Sequence, residues 1–71
     1  MIQIGYYYRS DTPQGVRTIK CMQMDADGNP YGIYSPSNYA NSGDNQGMII
    51  PDNSTLATPE QAQAWDFWYE Q

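Results

Sequence analysis

The chain of 71 residues is short enough for one domain only, and a domain of this size buries about 60% of the surface that its unfolded form exposes. Its single cysteine, Cys21, excludes an internal disulfide, and the lack of histidine excludes the usual mixed zinc sites. Hydrophobic residues make up 39% of the chain, which supports a globular fold with a marginal core. We therefore expect a domain that gains from oligomerisation or from docking on a partner.

Charge is distributed unevenly along the chain. The three basic residues, Arg9, Arg17 and Lys20, lie in the first twenty positions, and Asp11 is the one acidic residue among them. The other seven of the eight acidic residues follow, and the net charge is -5. Such a field repels nucleic acid and favours a basic protein surface, so direct nucleic-acid binding is not expected. A net charge of this size also serves simply to keep a small domain soluble.

No segment has the composition of a membrane span or of a signal peptide. No apolar run approaches about 18 residues. The N-terminal "MIQIGYYYRS" lacks the basic start and the long apolar centre of a secretory leader. We expect a cytoplasmic protein without membrane contact.

The N-terminal residues predict a strand followed by a tight turn. In "IQIGYYY", apolar and polar positions alternate with the period of a half-buried strand at about 2–8. With Tyr6 and Tyr8 on the core side, Tyr7 is expected on the exposed side. Pro13 and Gly15 then suit the second and fourth positions of a β-turn, which predicts a hairpin.

The second predicted strand, at about 16–24, carries apolar residues on both of its faces. Val16, Met22 and Met24 fall on one side, whereas Ile19 and Cys21 fall on the other. Two structures explain this pattern: a central strand covered on both faces, or a bulge near Lys20 that switches the facing of the side chains. The sequence leaves both open.

The middle of the chain predicts a turn, a short strand and a polar loop. Asp27-Gly28 suits positive φ, and a third strand at about 31–35 ends before Pro36. Positions 35–47 are almost wholly small and polar apart from Tyr39, and loops of this length are often functional. The "MII" run at 48–50 could add a fourth strand at an edge, before Pro51.

The C-terminal segment predicts a helix at about 59–70. Thr58 suits the N-cap, Pro59 the first helical position, and Gln61 completes a capping box. At roughly 100° per residue, one face collects the side chains expected to pack on the sheet: Ala62, Ala64, Trp65, Trp68 and Tyr69. Phe67 falls on the opposite, polar face.

Together these elements predict an α+β fold in a single domain spanning residues 1–71. The sheet is a small antiparallel meander of three to four strands, and the C-terminal helix packs on one of its faces.

The residue inventory does not support catalysis or a metal site. Without histidine there is no Cys-His or Ser-His pair to activate a nucleophile. Asp25, Asp27 and Asn29 occupy the first ligand positions of an EF-hand loop, but Pro30 stands where that loop requires glycine. A hairpin turn explains the same residues, so we expect no catalytic residues, no metal and no cofactor.

The sequence therefore favours a small non-enzymatic protein that binds a basic surface of another protein, with inhibition of that partner as one outcome of the binding. Six residues are candidates for the contact: Tyr7, Tyr39, Asp44, Asp66, Phe67 and Glu70. The carboxylates would steer the partner, and the aromatic rings would supply buried area. Two alternatives stay open: a structural module that forms homo-oligomers, and a module that binds a small ligand.

In size and composition, this acidic and cysteine-poor chain resembles the accessory inhibitors that bacteriophages encode against host nucleases and other defence complexes. The resemblance is one of general character and involves no shared motif. It implies an anti-defence protein that acts in the cytoplasm of the host cell.

Overall fold

The computed structural model describes residues 2–13, 15–35 and 47–70. They form a five-stranded antiparallel sheet and one C-terminal helix. The strands are β1 (Tyr7–Thr12), β2 (Gly15–Met24), β3 (Pro30–Tyr34), β4 (Gly47–Ile49) and β5 (Thr55–Leu56), and the helix is α1 (Pro59–Tyr69). The strand order is β4-β3-β2-β1-β5. The predicted α+β fold class is confirmed, with five strands instead of three to four.

The first strand begins later than the alternating pattern predicted. Gly5 has a φ of 92°, a conformation that residues other than glycine rarely adopt. The chain turns there, and the Tyr6 N–H donates to the Gln3 carbonyl over 3.3 Å. The apolar and polar positions still alternate through this turn, which is why the sequence pattern placed the strand at residue 2.

The two hairpin turns use the residues that turn chemistry requires. Thr12 pairs with Gly15 across the first turn, and Gly15 has a φ of 106°. In the second turn, Asp25 Oδ1 accepts hydrogen bonds from the N–H groups of Asp27 and Asn29, each over 2.9 Å. Gly28 takes the positive φ that the sequence predicted, 84°.

Strand β2 combines both structures that the sequence left open. It is the central strand of the five. Its register with β3 also shifts between Cys21 and Gln23, so that Met22 lies in a bulge. Ile19 and Cys21 are fully buried before the shift, and Met22 and Met24 are exposed after it.

The main core lies on one face of the sheet, which we call the core face. It consists of Tyr8, Ile19, Cys21, Tyr34 and Ile50. Strands β4 and β5 lie at opposite edges, so the connection 50–54 must cross the sheet between them. It crosses over the core face, because Ile50 is buried there and the Ser54 hydroxyl lies 2.6 Å from that of Ser10.

The helix lies on the opposite face, which we call the helix face. Trp65 is 2% exposed, and its Nε1 donates to the Ile33 carbonyl over 3.0 Å. Lys20 pairs with both Tyr7 and Ile33 in the sheet, and all three alternate with the core-face residues. Each face of the small sheet is thus covered by a different part of the chain. Across the described residues, no helix has both the length and the apolar character that crossing a membrane requires.

Candidate interaction surface on the helix

The predicted capping box forms at the first turn of α1 and fixes the residue at which the helix begins. The Gln61 N–H donates to Thr58 Oγ1 over 3.1 Å, and the Thr58 N–H donates to Gln61 Oε1 over 2.9 Å. Pro59 and Glu60 occupy the first turn, where a missing N–H and a negative charge are both favourable. The helix therefore begins at a defined residue, and the burial of Trp65 determines the side of α1 that faces the sheet.

The side of α1 that faces the sheet buries fewer residues than the sequence predicted. Trp65 is buried, whereas Ala62 and Trp68 are half-buried and Ala64 is exposed. Tyr69 is 46% exposed but stacks on Trp65, with ring centroids 4.6 Å apart. The expectation that all five residues pack on the sheet was wrong, because α1 makes its main contacts with the single strand β2.

The opposite side of α1 is an exposed stripe, which we call the outer helix face. It consists of Glu60, Gln63, Ala64, Phe67 and Glu70. At roughly 100° per residue these positions span about a third of the helix circumference, with Phe67 at the centre. Phe67 is 72% exposed, the largest exposed fraction among the large hydrophobic side chains of the described residues. An exposed aromatic ring thus lies about one turn before Glu70 and about two turns after Glu60 on the same stripe of the helix.

Tyr7 does not lie on a free surface, so the predicted exposure of this ring was wrong. Its hydroxyl donates a hydrogen bond to Asp66 Oδ1 on the helix. Its ring packs edge-on against Trp65, with centroids 5.8 Å apart. The Lys20 ammonium lies 5.3 Å from the Tyr7 centroid and 5.7 Å from that of Trp65, within the range of cation–π attraction. These contacts place Tyr7 and Asp66 at the joint between helix and sheet.

The contact with Asp66 alters the acidity of Tyr7. The hydrogen bond to the Asp66 carboxylate, burial, and the negative charges of Asp66 and Glu70 raise the pKa of Tyr7 from 10.0 to about 12. Each cause favours the neutral hydroxyl, which can donate to the carboxylate. While the helix is docked, the Tyr7 phenol therefore stays protonated to a higher pH than a free tyrosine does.

The predicted contact residues divide into three groups in the structure. Phe67 and Glu70 lie together on the outer helix face, and the Glu70 N–H donates to the Asp66 carbonyl over 3.1 Å. Tyr7 and Asp66 lie at the helix–sheet joint. Tyr39 and Asp44, on the loop predicted at 35–47, lie outside the described residues.

The described residues contain no cluster of three or more acidic, cysteine or histidine side chains that could hold a metal ion. Asp25 instead accepts hydrogen bonds from backbone and side-chain donors of its own turn, chiefly Asn29, and these donors lower its pKa. Burial raises the pKa of the Cys21 thiol, which keeps it in the unreactive protonated form. Both residues thus have structural roles in the fold.

A second surface, on the core face, was not found from the sequence. An open groove of about 730 Å³ lies beside the buried core, and its lining includes Tyr6, Tyr8, Met24 and Leu56. These residues come from three separate strand regions, so only the register of the sheet brings them together. The one local indication was Leu56, an isolated aliphatic residue in the polar stretch "PDNSTLATPEQ".

Comparisons with protein families, with curated proteins and with solved structures found no match to this chain. Its function is therefore inferred from the geometry and charge of its own residues.

Proposed function

We propose that this chain is a non-enzymatic interaction protein whose outer helix face binds a basic surface of another protein. The observation that carries the proposal is the 72% exposure of Phe67 at the centre of a stripe bounded by Glu60 and Glu70. Complete burial of a phenylalanine contributes about 1.5–3 kcal/mol, and a partner that covers the exposed part of this ring would gain a corresponding share.

The surroundings of Phe67 have the arrangement of an interaction site. Aromatic residues supply much of the energy at protein interfaces, and a polar rim around them excludes water. Here the rim is acidic, and the chain carries a net charge of -5. Opposite charges accelerate encounter and select the partner, so a surface rich in Lys and Arg is the complement.

Inhibition is the outcome that we propose for this binding. A domain of 71 residues can cover one basic functional surface of a larger protein and block its access to an anionic ligand. The composition shared with phage accessory inhibitors makes a host defence protein the proposed target, and the host cytoplasm the proposed compartment.

A second candidate function is self-assembly through the edge of β4. The Ile50 N–H donates to the Pro30 carbonyl, so alternation along the strand directs the backbone groups of Gly47 and Ile49 away from β3. The Ile49 side chain is also exposed. Such an edge can pair with the same edge of a second copy. Light scattering separates the two functions, because a monomer at working concentration contradicts self-assembly.

The acidic rim is tested by removing its charges. In the variant Glu60→Gln/Glu70→Gln, we expect capture of the partner from a bacterial lysate to fall several-fold at low salt. Raising the salt should weaken capture by the wild type more than by the variant, because salt screens exposed charges. Captured proteins are identified and quantified by mass spectrometry.

The matched control is Asp11→Asn/Asp27→Asn, which removes the same charge from exposed positions outside α1 and should leave more capture than the helix variant does. Equal loss in both variants would mean that only net charge matters. Capture that is absent at low salt, or indifferent to salt, would contradict the proposal.

A further inference from the structure

The groove on the core face is open to solvent and exposes apolar side chains, unlike a cavity enclosed within the core. Its apolar lining residues are Ile2, Tyr6, Tyr8, Met24, Pro30 and Leu56, and its volume is about 730 Å³. Leu56 is 65% exposed and Tyr6 is 52% exposed. These exposed apolar side chains meet at one open groove, where a partner would remove them from water.

The edge of the sheet beside this groove is available for strand pairing. Strand β5 is the outermost strand on its side of the described sheet. The Ala57 N–H donates to the Tyr7 carbonyl over 3.0 Å, so the next pair along, Tyr8 and Leu56, is not a hydrogen-bonded pair. The N–H and C=O of Leu56 therefore point away from β1, while its side chain lines the groove.

The charge of the groove lining determines which kind of peptide segment the groove favours. Among the lining residues that the structure describes, Asp52 is the one with a charged side chain. A segment with a Lys or Arg that reaches Asp52 is favoured, and an acidic segment is repelled. A second copy docking through the same face is disfavoured, because the described part of this lining offers no Lys or Arg to pair with Asp52.

We propose that the groove and the β5 edge bind an extended basic-apolar peptide segment of a protein partner by strand addition. The backbone of the segment pairs with Leu56, its apolar side chains enter the groove beside Tyr8 and Met24, and a basic side chain reaches Asp52. Strand addition gives affinity through the backbone and specificity through alternate side chains. The groove is open rather than enclosed, which suits a peptide better than a small molecule that must be enclosed.

This site is separate from the outer helix face, because α1 and the groove lie on opposite faces of the sheet. The two proposals can therefore fail independently, and a partner could occupy both surfaces at once.

The test uses capped decapeptides in which Leu or Val alternates with Lys, Ser or Glu. We expect the Lys series to bind most tightly and the Glu series least tightly, as measured by fluorescence polarisation. Leu56→Ser should weaken binding of the Lys series about tenfold, the size of an interface hot spot. Asp52→Asn should remove the preference for Lys over Ser.

Two controls separate this site from the rest of the molecule. Ile49→Ser makes the same kind of change on the other edge strand, and Asp11→Asn removes one charge, as Asp52→Asn does, from an exposed position outside the groove lining. Both should bind the Lys series as the wild type does. In NMR spectra of the isotope-labelled wild-type chain, the amide signals around Leu56, Met24 and Tyr6 should shift when the peptide is added. This measurement does not depend on the folding of any variant.

Four outcomes would overturn the proposal. In fluorescence polarisation, these are the absence of binding in every series at about millimolar peptide and equal binding of the Glu and Lys series. In the amide-shift experiment, it is a set of changes confined to α1. In sedimentation, it is a wild-type dimer that the substitution Leu56→Ser dissociates. The last outcome would make a second copy the occupant of the groove.

Discussion

Tyr7 joins the first strand to the helix, because its hydroxyl donates to Asp66 and its ring packs edge-on against Trp65. Period 2 correctly places Tyr7 on the face opposite Tyr8. Tyr7 is nevertheless not exposed there, because the C-terminal helix α1 packs on that face of the sheet and covers the ring. The contacts of Tyr7 with Asp66 and Trp65 span more than fifty residues of sequence, and no local pattern encodes them.

We predict that Tyr7→Phe destabilises the fold in a pH-dependent manner. The folded-state pKa is raised from 10.0 to about 12, so the neutral hydroxyl stabilises the fold. This contribution is complete below about pH 10 and is lost as the pH rises towards 12. At pH 8 the variant should lose about 1.5–3 kcal/mol, the range for a hydrogen bond to a charged group.

The measurement is the free energy of unfolding of both proteins by urea from pH 8 to pH 12. The difference between them should shrink as the pH rises, because the wild type alone loses the hydroxyl proton. A difference that stays constant across this range would show that the Tyr7–Asp66 hydrogen bond does not contribute to stability.

At the scale of elements, strands β2 and β3 approach each other closely where β2 bulges. A Cβ placed on Gly32 would lie 2.0 Å from the Lys20 carbonyl oxygen and 2.8 Å from Ile19 Cγ2. This oxygen belongs to the backbone of the central strand β2, so it cannot move without disturbing the hydrogen bonds between β2 and its neighbouring strands. Glycine is thus required at this position by close approach rather than by φ.

We predict that Gly32→Ala costs about 3 kcal/mol, the upper end of the range for overpacking. Gly47→Ala is the matched control, because a Cβ there meets the Tyr31 ring edge at 2.8 Å, and this side chain can shift. The control should cost about 1 kcal/mol. The free energy of unfolding of both variants, measured with urea, checks that Gly32→Ala is the more destabilising substitution. Equal losses of stability in the two variants would contradict a rigid contact between β2 and β3.

The elements differ in how well their sequences predict them. The start of α1 was predictable, because Thr58 and Gln61 form its capping box through local hydrogen bonds. Strand β5 was not, since Thr55 and Leu56 are too few residues to show a period. This strand exists through its pairing with Tyr8 and Arg9, which the sequence separates from it by more than forty residues.

At the scale of the whole molecule, the sheet separates two surfaces of different character. One carries the outer helix face with Phe67 and its acidic rim, and the other carries the apolar groove. The exposure of Phe67 was predictable from the helical period, because α1 has a defined start. The groove was not predictable, because it depends on the crossing of residues 50–54 and on the bulge in β2.

The variant Phe67→Ala tests most directly whether this ring serves a partner or the fold. We predict that it changes the free energy of unfolding by less than about 0.5 kcal/mol, as an exposed substitution does, and that it abolishes capture of the partner. Gln63→Ala, on the same helix face, should retain capture. A loss of about 3–5 kcal/mol, typical of a buried phenylalanine, or capture equal to that of the wild type would contradict the account.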